Sequence, residues 1–280
     1  KKGARLTGGC CGTTPEHIKK TVELLKDFSE TEIHPETTSC VCSAVKTVEL
    51  GKAPVIIGER INPTGRKAFR KAIEEKNWSL VLSEASVQEE NGAQILDVNM
   101  GAPGTDEKES FGYIIPELQS VCTLPLQIDT SDEKALEKAL RLYNGKALIN
   151  SVNGKKESME RVFPLVKKYG GSVIALTLDE NGIPKTASDR LKIAEKIIKT
   201  AEGFGIKKDD IIFDSLVMAV SADKNAAKTT LETVRLIKER LGCKTALGVS
   251  NVSFGLPDRD TLNSVFLTSA LANGLDAAIA

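Results

Sequence analysis

The sequence predicts an α/β protein folded as a closed barrel of eight parallel strands, a (β/α)8 or TIM barrel. From about residue 55 onward, short apolar runs alternate with longer segments of helical periodicity, a pattern typical of parallel strands covered by helices. The apolar runs number eight, which fits one barrel better than an open doubly wound sheet. The composition, 41% hydrophobic and 27% charged, is ordinary for a globular chain of this size.

The intervening segments, such as DEKALEKALRLY, are amphipathic and rich in Lys and Glu, so they are predicted to be helices. Thr130 to Glu133 reads as a T-x-x-E capping box, and Gly170 lies where a helix C-cap is expected. The helix that should follow the last strand is expected to lie outside this sequence. The eight predicted strands are PVIIG (54–58), AQILDV (93–98), LPLQI (124–128), KALI (146–149), SVIAL (172–176), DIIF (210–213), TALGV (245–249) and LDAAIA (275–280).

The first part of the chain does not fit this barrel. Residues 1–30 contain a short apolar segment, ARLTGG, and a helical segment, PEHIKKTVELLKDF, with proline in its first turn. We expect them to be the last βα unit of a second, incomplete barrel. Residues 31–53 are polar and irregular and are predicted to be an interdomain linker, so that 54–280 forms the main barrel. Because the sequence does not begin with Met, we expect it to be a piece of a longer chain.

Charge and cysteine content exclude several classes of protein. Lys plus Arg equals Asp plus Glu at 38 each, and a zero net charge disfavours broad binding to nucleic acid or to an anionic membrane. No apolar run approaches the roughly 20 residues that span a bilayer. The six cysteines are too few and too irregularly spaced for a disulfide framework, so we expect a reducing, cytoplasmic setting.

Carboxylates and carboxamides follow most of the predicted strands, at the end where barrel enzymes carry their sites. A single Asp or Asn there is most often a helix cap or a turn residue, so only the whole set indicates a site. Asp97, inside ILDV, could be a structural carboxylate on the barrel wall, and Arg60 and Arg259 are the nearest cations. The residues that follow the strands are Glu59, Asn99, Asp129, Asn150, Asp214, Ser250 and Asn251.

This set of side chains favours a neutral ring rich in N–H donors over a phosphate. Phosphate-binding barrels use glycine-rich loops after strands seven and eight, and SNVSFGLPD after the seventh strand is not such a loop. A pterin presents an N3–H and a 2-amino group side by side, which one carboxylate can accept as a fork. A buried site of this kind discriminates strongly, because a wrong ligand leaves polar groups unpaired.

The ordered motifs resemble one known family. GERINPTGRKAF, NGAQILDVNMGAPG, IDTSD, INSVNG, IIFDS and GVSNVSFGLP are similar to the pterin-binding methyltransferase barrels of cobalamin-dependent methionine synthases, whose relatives include dihydropteroate synthases. This resemblance covers about residues 54 to 280. The opening LTGGCCGTTPEHI resembles the end of the homocysteine-binding barrel that precedes the pterin domain in methionine synthases.

The resemblance implies roles for individual residues. Asp214 would accept the pterin N3–H and 2-amino group, and Asn251 would reach toward N5, which carries the methyl group. Arg259 would lie near the p-aminobenzoyl end of the folate. The implied catalytic residues are Asn251 and Asp129, and the implied ligands of methyltetrahydrofolate are Asp129, Asn150, Asp214, Asn251, Arg259, Glu59 and Asn99.

The resemblance also implies a reaction and its partners. The N5 methyl group of 5-methyltetrahydrofolate would pass to cob(I)alamin and then to homocysteine, giving methionine. Another module would hold the cobalamin, because neither His17 nor His34 fits an Asp-x-His-x-x-Gly motif. Cys10 and Cys11 would bind zinc together with a third cysteine outside this sequence. N5 must gain a proton as the methyl group leaves, and because an asparagine amide does not titrate near neutral pH, the proton source stays open.

Three alternatives remain at this point. A methyltetrahydrofolate:corrinoid iron–sulfur protein methyltransferase would use the same barrel, but the GGCC segment disfavours it. A dihydropteroate-synthase-like enzyme should show a phosphate-gripping loop, which is not apparent. A folate-binding module without chemistry would have no methyl-transfer rate to lose when Asn251 is replaced.

Overall fold

The protein is described by a computed structural model over residues 6–28 and 38–280. The two ranges belong to two compact units, which divide between Thr37 and Thr38. His34 and the other residues from 29 to 37 lie outside the described ranges.

The second unit is a closed barrel of eight parallel strands, which confirms the predicted fold class. Neighbouring strands are paired in chain order. The eighth and last barrel strand closes the barrel, because it pairs with the first barrel strand on one side and with the seventh on the other. Each of the eight predicted apolar runs overlaps one observed strand. The barrel strands are β3 (Val55–Ile61), β4 (Ile95–Asn99), β5 (Leu126–Asp129), β6 (Leu148–Asn153), β7 (Ser172–Leu176), β8 (Ile211–Asp214), β9 (Lys244–Gly248) and β10 (Ala277–Ile279).

Helices α2 to α9 alternate with these strands and form the outer layer. Asp132, rather than Thr130, caps α5, because its side chain accepts the Ala135 N–H at 2.8 Å; the predicted capping box was therefore misplaced by two residues. Gly170 does end α6, with a φ of +69°. The helices are α2 (Lys67–Glu74), α3 (Trp78–Glu90), α4 (Glu107–Val121), α5 (Glu133–Leu142), α6 (Lys156–Tyr169), α7 (Ala187–Gly203), α8 (Ala226–Leu236) and α9 (Arg259–Ala272).

Short helical turns complete this layer. A π-helical turn, Ile237–Leu241, continues α8, and 3-10 turns occupy Lys208–Asp210 and Val249–Ser253. Across the described ranges, no helix is both long and apolar enough to cross a bilayer.

Side chains of the strands alternate between the barrel interior and the helical layer, as the period of two requires. Outward residues pack with the helices in the two clusters that form most of the core. The inward residues form a separate apolar cluster that fills the amino-terminal part of the barrel. Its strand members are Val55, Ile57, Ile95, Leu148, Ile174, Ile212, Ala246, Ala277 and Ile279.

An antiparallel hairpin closes the amino-terminal end of the barrel. Its strands are β1 (Cys40–Cys42) and β2 (Thr47–Glu49). Three apolar side chains bury themselves in the interior cluster: Val41, Val48 and Leu50. The Cys42 N–H donates to the Lys146 carbonyl at 3.0 Å, and the Lys146 N–H donates back at 2.9 Å.

This hairpin differs from the irregular linker expected over 31–53. Residues 38–53 belong to the barrel unit, whereas 31–37 lie outside the described residues. Each strand of the hairpin has only three residues, too few for a period-two pattern to be recognised in a polar stretch. The place of residues 54–280 as a domain distinct from 1–30 stays a prediction.

The first unit contains helix α1 (Pro15–Leu25), which begins with proline at its first position as expected. The backbone N–H of Thr14 donates to His17 Nδ1 at 3.1 Å, in a capping arrangement. The strand expected from ARLTGG is not observed over its described part, residues 6–9. A strand requires a neighbour to accept its backbone hydrogen bonds, and no described residue pairs with this segment.

Candidate functional site

The inward side chains change from apolar to polar toward the carboxyl ends of the strands. On β3, Glu59 follows Val55 and Ile57 at the same alternation, and on β8 Asp214 follows Ile212. Above the apolar cluster the barrel interior is therefore lined by carboxylates and amides. These polar inward residues, here called the polar layer, are Glu59, Asp97, Asn99, Gln127, Asp129, Asn150 and Asp214.

Asn99, Asp129 and Asn150 lie side by side in the polar layer. They are directly paired positions on three neighbouring strands, β4, β5 and β6. Asn99 Nδ2 donates to Asp129 Oδ2 at 2.8 Å, while Asn99 Oδ1 accepts the Gly101 N–H at 2.9 Å. These two bonds fix the Asn99 amide with its donor toward Asp129.

Asp97 and Gln127 lie one step deeper in the barrel and were not among the predicted site residues. Gln127 Nε2 donates to Asp97 Oδ1 at 2.5 Å, and the Asn150 side chain, like that of Gln127, acts to lower the pKa of Asp97. Gln127 is fully buried, and its Oε1 has no partner in the described part of the chain. The inward alternation within ILDVN and LQID is the sequence signal that could have found both residues.

Three carboxyls of the polar layer influence one another electrostatically. Burial raises the pKa of Asp97 well above its usual value, and the charges of Asp129 and Glu59 raise it further. Burial also raises the pKa of Asp129, against the Asn99 hydrogen bond and with Glu107 adding repulsion. The pKa of Glu59 is raised by burial as well. Because close carboxylates cannot all ionise in a poorly solvated site, this cluster retains protons to a higher pH than isolated carboxyls would.

Asp214 is set apart from those three carboxyls, on β8. Its strand neighbours are the apolar residues Leu176 and Ala246, and its Oδ1 accepts the Leu216 N–H at 2.7 Å. Burial raises the pKa of Asp214 to about 6, although the Leu216 bond and the positive charge of Arg190 oppose the shift. Asp214 is therefore mostly ionised at neutral pH and can accept two hydrogen bonds from a ligand.

A cleft of about 550 Å³ adjoins the polar layer at the rim of the barrel. Ser250 Oγ donates to Glu59 Oε1 at 3.3 Å, which links the rim to the interior. Arg259 donates from Nε to Ser253 Oγ at 3.1 Å and from Nη2 to the Ser250 carbonyl at 3.0 Å. Asn251 lies in the same 3-10 turn and is exposed to solvent. The rim thus holds both residues predicted to act near N5 and near the p-aminobenzoyl end.

The structure therefore brings most of the predicted site residues to one end of one barrel. Five of them lie in the polar layer, and two lie on the rim above it. The five are Glu59, Asn99, Asp129, Asn150 and Asp214, and the two are Asn251 and Arg259.

The paired thiols of Cys10 and Cys11 lie in the first unit, and both are exposed. Their Sγ atoms are 3.8 Å apart, which matches the edge of about 3.8 Å expected between two ligands of a tetrahedral zinc with 2.3 Å bonds. A hydrogen bond from the Cys11 backbone lowers the pKa of Cys10. Within residues 6–28 and 38–280, however, no three His, Cys, Asp or Glu residues group as a metal site. The thiols fit two corners of a zinc site that requires at least one more protein ligand.

Comparison with known proteins identifies the family. The family model described as pterin binding enzyme matches residues 58–280, and the model described as homocysteine S-methyltransferase matches residues 1–25. Methionine synthase of Mycobacterium tuberculosis is 32% identical over 99% of the chain, which covers 24% of that protein. Methionine synthase of Mycobacterium leprae is 31% identical over 99% of the chain, covering 25%. The chain thus spans about a quarter of the length of these curated relatives.

Solved structures share the barrel at low sequence identity. Dihydropteroate synthase of Xanthomonas albilineans with 4-aminobenzoic acid aligns at a TM-score of 0.63 and 17% identity, over 87% of this chain and 92% of that one. The 7,8-dihydropteroate synthase of Vibrio fischeri aligns at 0.63 and 19%, over 86% and 91%. The resemblance found in the motifs is confirmed, and the chain belongs to the family of pterin-binding enzymes.

Proposed function

We propose that the barrel binds 5-methyltetrahydrofolate and transfers its N5 methyl group to cob(I)alamin, as the folate-binding part of a cytoplasmic methionine synthase. The polar layer carries this proposal, because it offers a pterin a set of matching donors and acceptors inside a family that binds pterins. The similarity to methionine synthases over 99% of the chain supports the reaction. The homocysteine S-methyltransferase match at 1–25 favours it over a free-standing corrinoid methyltransferase.

Asp214 anchors the pterin in this proposal. Its carboxylate, ionised above about pH 6, accepts the N3–H and the 2-amino group as a fork, which is the stronger kind of hydrogen bond. Asn150 and the Asn99–Asp129 pair lie on β6, β4 and β5, farther round the same barrel, and can match the remaining ring atoms. Since the site is largely shielded from water, a ligand that left these groups unpaired would bind poorly.

Methyl transfer requires N5 to take up charge. The electron pair of the breaking N5–C bond stays on N5, which must be protonated, while cob(I)alamin, held by another module, supplies the nucleophile. Asn251 on the rim donates a hydrogen bond to N5 that strengthens as this charge develops. Asp129 belongs to the carboxyl cluster whose pKa values are raised, so this cluster can store the proton close to the ring.

Homocysteine activation belongs to the first unit. Cys10 and Cys11 would hold two corners of a zinc ion, and zinc, when bound, lowers the pKa of a thiol ligand. The third ligand is not among the described residues, so the two thiols do not make a complete site here.

A methyl-transfer assay tests this function. The chain is mixed anaerobically with 5-methyltetrahydrofolate and free cob(I)alamin, and the loss of the cob(I)alamin spectrum is followed. Replacing Asn251 with alanine should reduce the rate about 100-fold or more, as removing one such donor does, while folate affinity changes much less. Asn91→Ala, an exposed change before β4, should leave the rate unaltered. Folate binding without methyl transfer in the wild-type chain would identify a binding module instead.

A further inference from the structure

Arg190 is a buried cation beside the proposed site. It lies in the first turn of α7, and only 3% of its surface is exposed. Burying a charge is costly unless hydrogen bonds compensate it. Three of its hydrogen-bond acceptors are main-chain carbonyls in the loop before α7 and the loop after β8, and the Thr230 hydroxyl accepts a longer bond at 3.5 Å.

The guanidinium ties these loops together. Arg190 Nε donates to the Pro184 carbonyl at 3.0 Å, in the loop before α7. Its Nη1 donates to the Ser215 carbonyl at 2.5 Å and the Leu216 carbonyl at 3.0 Å, in the loop after β8. Thr230 Oγ1 also donates to the Leu216 carbonyl, at 3.0 Å. One residue of the β8 loop is thus held from two helices.

That residue, Leu216, donates a backbone hydrogen bond to the Asp214 carboxylate. Leu216 has a φ of +58°, a conformation that a bulky residue adopts only when its surroundings impose it. In this conformation its N–H points back to Asp214 Oδ1 at 2.7 Å. The Leu216 residue therefore accepts a hydrogen bond from the Arg190 guanidinium through its carbonyl and donates one to Asp214 through its N–H. Asp214 is the carboxylate that is proposed to bind the pterin.

The charge of Arg190 acts on Asp214 as well. Its positive charge opposes the rise in the Asp214 pKa that burial causes. The adjacent strands β7 and β9 present the uncharged residues Leu176 and Ala246 at this level. Burial lowers the pKa of Arg190, and the negative charge of Asp223, in the loop after β8, opposes this shift. The positive charge of Arg190 is therefore an electrostatic influence on the pKa of Asp214.

We propose that Arg190 is a positioning residue for Asp214: it holds the Leu216 peptide that donates to the carboxylate, and it places a positive charge close to that carboxylate. This inference rests on the proposed function only for its consequence, pterin binding. Its electrostatic part concerns the ligand-free protein and can be tested without folate.

The test is a carboxyl ¹³C NMR titration of the ligand-free chain, with the Asp214 resonance assigned from Asp214→Asn. Asp214 of the wild type should titrate near pH 6. In Arg190→Met the midpoint of the Asp214 titration should move to higher pH, because the positive charge that opposes the effect of burial is removed. Arg235→Met, which removes an exposed arginine from α8, should leave it in place. An Asp214 that titrates alike in Arg190→Met and the wild type overturns the electrostatic part.

A second variant tests the positioning part and covers a failure of Arg190→Met to fold. Arg190→Lys keeps the charge, but an ammonium cannot reproduce the fork between the two loops. Its Asp214 should titrate as in the wild type, while the dissociation constant for 5-methyltetrahydrofolate rises about tenfold. An unchanged dissociation constant overturns the positioning role. If the wild-type chain binds no folate, the proposed function fails, and the NMR titration still decides whether Arg190 governs Asp214.

Discussion

Asp214→Asn should stabilise the barrel while damaging its site. The burial that raises the pKa of Asp214 from 3.8 to about 6 also makes the ionised carboxylate unfavourable for folding. A shift of roughly two pH units corresponds to about 3 kcal/mol. Asparagine carries no charge and keeps an Oδ1 that can accept the Leu216 N–H. We therefore expect Asp214→Asn to raise the free energy of unfolding by up to about 3 kcal/mol at pH 8.

The sign of the pH dependence is fixed by the direction of this shift. Between pH 3.8 and about 6 the folded state binds more protons at Asp214 than the unfolded state does. The contribution of Asp214 to stability therefore falls as pH rises through this window and stays low above it. The gain in Asp214→Asn should shrink to about half at pH 5 and vanish at pH values below the usual range of an aspartate.

Urea unfolding followed by circular dichroism at pH 5 and pH 8 measures this difference. Glu195→Gln is the matched control, because it makes the same carboxylate-to-amide change at an exposed position of α7 and should alter stability little. A variant Asp214→Asn that is no more stable than the wild type at pH 8, or whose gain is the same at both pH values, would refute the electrostatic reasoning.

Three further outcomes follow from the structure. Leu50→Ala should lower the free energy of unfolding by about 2–4 kcal/mol, because Leu50 is buried under the barrel, whereas exposed Val45→Ala should change it little; equal effects in urea unfolding would contradict the role of the hairpin. The chain should bind zinc weakly through Cys10 and Cys11 in a competitive chelator titration, and nanomolar affinity would show that the ligand set is complete. Folate affinity should fall about tenfold for each pH unit below 6, as Asp214 becomes protonated; a pH-independent affinity measured by fluorescence would argue against Asp214 as the anchor.

The sequence predicted the barrel strands where a continuous apolar run was long enough to recognise. The runs before Asp129, Asn150 and Asp214 are apolar and end abruptly in a polar residue, so both the strand and the end that carries the site could be predicted. The structure adds that Asp129 and Asn150 occupy paired positions on β5 and β6. This reasoning depended on strands buried on both faces, which stand out in a chain of ordinary composition.

The sequence did not predict the deeper part of the site or the hairpin, and the reasons are physical. Asp97 and Gln127 interrupt apolar runs, and from sequence alone a carboxylate there could equally be a wall residue paired with a neighbour. Their meeting across β4 and β5 depends on strand register, which no single run specifies. The hydrogen bond from Arg190 to the Leu216 carbonyl likewise connects segments that are distant in sequence. The left-handed backbone conformation of Leu216 cannot be predicted from the residue type, because leucine rarely adopts it. Short strands such as β1 gain their stability from burial under the barrel rather than from local propensity.

The central claim is that the polar layer of the barrel binds a reduced pterin through Asp214. Calorimetric titration of the chain with 5-methyltetrahydrofolate at pH 8 tests it most directly, with Asp214→Asn and Glu195→Gln measured in parallel. We expect the wild type and Glu195→Gln to bind alike, and Asp214→Asn to bind about 100-fold more weakly, which is the loss of about 3 kcal/mol of charge-assisted hydrogen bonding. Wild-type protein that takes up no folate, or Asp214→Asn that binds as well as the wild type, would contradict the claim.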